Sequence, residues 1–253
     1  MSGKTRRTMQ WLALQLPVVC LTGCSLLKAG PSDVTGFVPH PELLAEHRER
    51  APFHGYWVAD PAAHERLRLS LRKVYLRPVS TDIATARYRT PGGGEGKRDR
   101  VEEVEELARY FRERVRLAIL AHGNPEFQVA NEPQADALPV ELALVDVEPT
   151  RPAVNLAGTA AGFVVPGGGL IKTFGGGFVA MEGMVTDPVD AAVLEAFRDR
   201  EGSKKAPATI KDYRRYHHIR VALDDWADQL AELLCTPAGH RVEDSLPFSI
   251  NPL

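Results

Sequence analysis

Cysteine is scarce in this sequence, with three residues in 253. Cys20 and Cys24 lie close to the amino terminus, and Cys235 is the only other one. Three thiols cannot form the disulfide framework of a small secreted domain. We therefore expect the fold to depend on an apolar core, for which a hydrophobic content of 44% is sufficient.

The sequence also lacks an excess of positive charge. It contains 31 Lys and Arg residues against 33 Asp and Glu residues, which gives a formal net charge of -2. Proteins that bind nucleic acids use clustered Lys and Arg side chains to neutralise phosphates. We therefore expect no nucleic-acid partner.

The apolar run near the amino terminus is too short to cross a membrane. It extends from Trp11 to Val19, is interrupted by Gln15, and follows Lys4, Arg6 and Arg7. A membrane-spanning helix needs about 20 apolar residues. The basic start and the short run instead predict a cleaved export signal over residues 1–23.

The end of this signal resembles the lipobox of bacterial lipoproteins, because Leu21, Thr22 and Gly23 precede Cys24. The resemblance implies cleavage before Cys24 and attachment of lipid to its thiol, so that the membrane is the first expected partner. Ser25 stands where the retention signal of inner-membrane lipoproteins would place Asp. The resemblance therefore implies an outer-membrane location in a diderm bacterium, with the protein facing the periplasm.

Four segments follow from these patterns. We predict a signal peptide over 1–23, a lipidated N-terminus and tether over 24–66, an α+β domain over 67–235, and a C-terminal tail over 236–253. The domain contains an apolar, Gly-rich insertion at about 152–177, in which the twenty residues from Pro152 to Ile171 carry no charge. This insertion either packs over its own domain or forms an exposed flap that meets a partner or the membrane.

Two amphipathic helices are predicted, one from Val101 to His122 with Gly123 as its stop, and one from about Arg214 to Cys235 before Pro237. The capping pattern places Asp99 at the start of the first helix, after a loop over 81–100. Cys235 is expected to be buried as a small hydrophobe at a helix end, or to link to another chain.

Five strands are predicted from short β-branched or aromatic runs, with the last two forming a hairpin through residues 187–190. They cover residues 73–76, 127–130, 138–147, 178–186 and 191–197. The predicted fold is an α+β two-layer sandwich, with a four- to five-stranded, mainly antiparallel sheet and both helices on one face.

Several segments together resemble the DUF3313 family of bacterial lipoproteins. They are Thr35-Gly36-Phe37, the run from Lys73 to Val79, the run from Asp146 to Pro149 with Asn155, and the run from Ala222 to Ala227. The element order is also similar to the amino-terminal domain of TolB and to the core of curli-secretion lipoproteins. The DUF3313 family has no assigned catalytic or ligand-binding residues, so the resemblance implies none here.

No motif in the chain identifies a reaction. The loop over 92–98 departs from the phosphate-binding pattern at Pro91 and Arg98. Four histidines, His40, His47, His54 and His64, lie near Glu42 and Glu46, but their spacing matches no zinc motif. We therefore predict no catalytic residue, no cofactor and no metal, and we expect the protein not to be an enzyme.

The leading functional hypothesis is a non-catalytic outer-membrane lipoprotein whose periplasmic domain binds another protein of the cell envelope. One alternative is self-assembly into a ring or pore that uses the 152–177 insertion. The other is an envelope hydrolase with a site that no motif reveals.

Overall fold

The computed structural model describes residues 34–44, 50–89, 95–123, 127–149, 177–202, 216–237 and 239–245. Its helices are α1 (Pro61–Leu71), α2 (Asp82–Ala86), α3 (Glu95–Ala121) and α4 (His217–Cys235). Its strands are β1 (Gly55–Val58), β2 (Lys73–Leu76), β3 (Gln128–Ala130), β4 (Leu138–Glu148), β5 (Phe178–Thr186) and β6 (Val193–Gly202). The α+β class is therefore confirmed.

The six strands form one mixed sheet in the order β1-β6-β5-β4-β2-β3. The pairings among β1, β6, β5 and β4 are antiparallel, whereas β2 is parallel to both β3 and β4. The predicted strand number was too low, and β2 and β3 depart from the antiparallel expectation. A helical connection such as α3 returns the chain in its original direction, which produces parallel pairing.

One face of the sheet, here called the inner face, is covered by α3 and α4. The apolar side of α3 is almost completely buried, with Phe111 and Val115 at 0% exposure. On α4, Trp226 is buried and lies with its ring centroid 6.2 Å from that of Phe111. This packing confirms two amphipathic helices on one face.

Charged side chains also join α3 to α4. Asp224 accepts hydrogen bonds from the Tyr110 hydroxyl and the Arg114 Nε, each at 2.7 Å. One turn earlier on each helix, Arg220 pairs with Glu106 at 2.6 Å. Because the contacts advance together along both sequences, the two helices run in the same direction. Charged side chains on the solvent-facing side of α3 therefore also hold this helix against α4.

The opposite face, here called the outer face, is covered by α2 and by residues 34–44, here called the strap. Phe37 and Val38 of the strap pack on the sheet, and Ile83 of α2 packs beside them. The strap contains one short 3-10 turn, Pro41–Leu43. It crosses the sheet without forming a strand.

The sequence patterns missed β1, α1 and α2. Residues 55–71, assigned to the tether and the beginning of the domain, form β1 and α1. Asp60 caps α1 by accepting from the backbone N–H groups of Ala62 and Ala63, and Pro61 occupies the first turn. The Asp60-Pro61 pair is therefore a helix start signal. The helix was not predicted because the residues that follow this pair have weak apolar periodicity.

Helix α3 begins at Glu95, so Asp99 lies inside the helix and is not its cap. The expected loop over 81–100 thus contains α2 and the first turns of α3. The predicted stop at Gly123 is consistent with its φ of 73°, a conformation that glycine adopts without strain. Among the described residues, no helix is both long and apolar enough to span a membrane.

Candidate functional site

A cluster of buried polar side chains lies where β6 meets α4. Asp199 of β6 is 2% exposed and accepts from the Trp226 indole N–H at 2.8 Å. Its other carboxylate oxygen accepts from the His54 backbone N–H at 3.1 Å and lies 2.5 Å from the His54 Nδ1. Asp199 therefore joins the segment before β1, the sheet and α4 through three contacts.

A second buried acid lies four residues earlier in β6, on the same face of the sheet. Glu195 is 1% exposed, and its Oε2 lies 3.1 Å from the Nε2 of His64 on α1. Burial, together with the nearby Glu195 carboxylate, raises the pKa of Tyr56 well above its usual range, whereas Arg50 opposes this shift. The Tyr56 phenol therefore stays protonated beside Glu195.

The two histidines in this region contact different acids, so they do not share a ligand. His54 contacts Asp199, and His64 contacts Glu195. His40 lies on the surface with Glu42, at 3.1 Å, and His47 and Glu46 lie outside the described residues. Within the described part of the chain, no three His, Cys, Asp or Glu side chains are grouped as metal ligands.

Cys235 is the last residue of α4 and is buried, as predicted for a small hydrophobe at a helix end. Burial raises the pKa of its thiol to about 11, although Arg68 opposes this effect. The thiol is therefore protonated at neutral pH, and it lacks the lowered pKa of a nucleophilic cysteine. Cys24 lies outside the described residues.

An open surface cavity of about 570 Å³ lies between the end of α2 and the first half of α3. Four cations, Arg89, Lys97, Arg98 and Arg109, and two acids, Glu102 and Glu105, line it together with Tyr88 and Val101. Arg89 is already paired with Glu105 at 3.3 Å. The end of the Gly-rich motif at 92–98 thus forms helix and cavity wall, whereas a phosphate loop would present backbone N–H groups.

The outer face carries a third buried acid, Glu182 of β5, which is 2% exposed. Its Oε2 accepts from the Thr35 hydroxyl at 2.7 Å and from the Val38 backbone N–H at 3.4 Å. Gly36, between these residues, has a φ of 82°, which places the chain in the left-handed region that glycine favours. The Thr35-Gly36-Phe37 motif therefore shapes the strap so that it meets Glu182.

Further along the outer face, Asp146 of β4 lies near two arginines. Burial raises the pKa of Asp146, whereas the charges of Arg87 and Arg200 oppose this shift. Arg200 also stacks on Phe178, with its guanidinium 4.1 Å from the ring centroid. This end of the sheet is consequently polar, in contrast to the apolar surface beneath the strap.

The sequence patterns identified none of the three buried acids as functional or structural candidates. Glu195 lies inside the predicted strand 191–197, Asp199 lies just beyond it, and Glu182 lies inside the predicted strand 178–186. An acid on an otherwise apolar strand was the available signal, because such a residue needs a partner when the strand is buried on both faces. The insertion at 152–177 lies outside the described residues except for Gly177.

The model of one protein family, described as protein of unknown function (DUF3313), matches residues 41–230. A comparison with curated protein sequences finds no significant match. Among solved structures, a PelC dodecamer from Paraburkholderia phytofirmans is similar, with 10% identity, a TM-score of 0.35, and coverage of 62% of this chain and 87% of that one. A variant of the same PelC protein gives 11% identity, a TM-score of 0.33, and coverage of 65% and 88%.

Proposed function

Since this chain belongs to the DUF3313 family of proteins of unknown function, we propose that it is a lipid-anchored outer-membrane lipoprotein. Its periplasmic domain binds another component of the cell envelope and catalyses no reaction. The lipid is attached at Cys24, and no metal or cofactor takes part.

The observation that carries this proposal is the position of the strap. Val34, the first described residue, is ten residues after Cys24 and lies at the start of a segment that crosses the outer face. Ten residues span at most about 36 Å when fully extended. With lipid at Cys24, these ten residues would keep the domain close to the membrane, within reach of other envelope components.

The buried acids support a binding domain over an enzyme. Asp199 and Glu195 are 1–2% exposed. Asp199 contacts His54 and Trp226, whereas Glu195 contacts His64 and lies beside Tyr56. A catalytic acid or base must reach a bound substrate. The contacts of this cluster instead join separate elements of the fold.

Replacing Cys24 with alanine is expected to move the protein from the membrane pellet to the soluble periplasmic fraction. Two or more acyl chains give stable anchoring, and this substitution removes the site for all of them. Cys235→Ala is the matched control, because it removes a cysteine that we assign to the core, and this variant should still sediment with membranes. Immunoblots of fractionated cells measure how each variant is distributed between the membrane pellet and the soluble fraction. Continued sedimentation of Cys24→Ala would contradict the anchoring proposal.

Cross-linking of the wild-type protein in intact cells tests the binding proposal. We expect a reproducible product that contains one copy of this chain and a different envelope protein, identified by mass spectrometry after purification. A ladder formed only from copies of this chain would contradict a heterologous partner and favour self-assembly. The Cys24→Ala variant serves as the control, because loss of the anchor should reduce the yield of the heterologous product.

A further inference from the structure

We propose that the outer face of the sheet is a binding surface for a peptide segment, and that the strap, residues 34–44 of the same chain, is its reversible occupant. Three features of the strap contact this surface. These are the Thr35 hydroxyl, the Phe37 ring and the Val38 backbone and side chain.

Apolar side chains of the strap pack against the outer face of the sheet. Val38 is 1% exposed and packs with Leu44 against Ala196 of β6, together with Trp57 of β1 and Met184 of β5. Phe37 contacts this group and also a second one formed by Ala143, Val145 and Ala180. The small alanines of the sheet thus leave room for the larger side chains of the strap, and this contact surface is here called the groove.

Glu182 fixes the position of the strap in this groove. Burial of a carboxylate costs more free energy than burial of an apolar side chain of the same size, unless hydrogen bonds satisfy the charge. The strap donates two hydrogen bonds to this carboxylate, one from the Thr35 hydroxyl and one from the Val38 N–H. A strap shifted by one residue in either direction would lose the hydroxyl donor, because Val34 or Gly36 would replace Thr35. A shift that placed Pro39 at the Val38 position would also lose the N–H donor, so the acid favours one register.

The strap is nevertheless separable from the fold. Its backbone hydrogen bonds to other described backbone groups are internal, from Leu43 N to the His40 carbonyl and from Leu44 N to the Pro41 carbonyl. None of its described residues joins the sheet ladder. Segments with few backbone hydrogen bonds to the core open at lower free energy than core strands do.

Release of the strap would lengthen the tether, a consequence that rests on the proposed lipid anchor at Cys24. With the strap bound, the ten residues from Cys24 to Val34 can span at most about 36 Å. With the strap released, the 26 residues from Cys24 to Arg50 can span at most about 94 Å. A partner that presents a similar hydroxyl-containing and aromatic segment would therefore release the domain to act farther from the membrane.

The binding test uses the chain from residue 24 with Cys24→Ala and with a protease site in place of residues 45–49. A labelled peptide of residues 31–44 is added before and after cleavage, and fluorescence anisotropy measures its binding. We expect binding after cleavage and little before it, because a tethered strap competes at an effective concentration of about millimolar.

Peptide variants test the contacts that we assign. Thr35→Val keeps the size of the side chain but removes the hydroxyl, and we expect the dissociation constant to rise about tenfold or more, since a hydrogen bond to a charged group is lost. Phe37→Ala should weaken binding by at least as much. Val34→Ala is the control, because Val34 is 58% exposed, and its peptide should bind like the wild type.

Absence of peptide exchange in the cleaved chain, or equal binding of the Thr35→Val and wild-type peptides, would overturn the proposal. Hydrogen exchange of the uncut chain provides a second test that needs no cleavage. The Val38 amide should exchange through local opening, much faster than amides of β4 and β5. Exchange of Val38 only with global unfolding would also overturn it. These experiments use no lipid, so their failure leaves the anchoring proposal intact.

Discussion

Replacing Asp199 with alanine is expected to lower the free energy of unfolding by about 3–5 kcal/mol, because each buried donor that loses its acceptor costs about 1–3 kcal/mol. The substitution leaves three groups without their acceptor, namely the His54 N–H, the His54 ring and the Trp226 indole. Trp226 is 1% exposed and the His54 side chain is 11% exposed, so water replaces the lost acceptor poorly. Urea denaturation followed by tryptophan fluorescence measures the change.

Asp136→Ala is the matched control, because Asp136 is also paired, with Lys73, but lies on the surface. Exposed ion pairs contribute little to stability, so the free energy of unfolding of this variant should be close to that of the wild type.

Trp226→Phe combined with Asp199→Ala refines the test. If the indole–carboxylate bond carries part of the effect, the double variant should lose less stability than the sum of the single ones. Equal stability of Asp199→Ala and wild type would refute the assignment.

Replacing Gly183 with valine is expected to lower the free energy of unfolding by about 3 kcal/mol. This value is at the upper end of the range for substitutions that overpack a core. A Cβ atom at Gly183 would lie 2.3 Å from Cε2 of Phe197, and 2.8 Å from Cδ2 of Leu142. Phe197 is 1% exposed and also packs against Phe53, with ring centroids 5.5 Å apart. The ring therefore cannot move aside without disturbing a second aromatic side chain.

A second substitution should relieve the Gly183 clash. Phe197→Leu shortens the side chain that valine would meet, so the double variant should be more stable than Gly183→Val alone. Gly239→Val is the control, because a Cβ at Gly239 has no heavy atom within 4 Å. Thermal unfolding by circular dichroism measures all four proteins. A Gly183→Val variant with the stability of the control would show that this part of the core is loosely packed.

The elements with strong local patterns were predictable from sequence. The apolar spacing of α3 and α4, the β-branched runs of β2 and β5, and Gly123 after α3 all depend on near neighbours in the chain. Strand β1 and helix α1 were missed because their apolar periodicity is short. Their residues become buried through contacts with β6, as His64 does with Glu195.

The positions of the buried acids could not be predicted from sequence in the same way. Glu182 meets Thr35 across 147 residues of chain, and Asp199 meets His54 across 145. An alternating pattern shows only that these acids occur on strands. Which face each acid occupies, and which donor lies opposite, depends on strand order and register.

The sequence by itself determined the amphipathic helices, most of the strands, the α+β class and the motif that predicts lipid at Cys24. These features depend on local periodicity or on contiguous residues. The tertiary structure decided the mixed strand order, the burial of Asp199 beside α4 and of Glu195 beside α1, and the path of the strap over Glu182. The reason is physical: the desolvation of a charge and its hydrogen-bond partners are set by groups distant in sequence, which only the folded chain brings together.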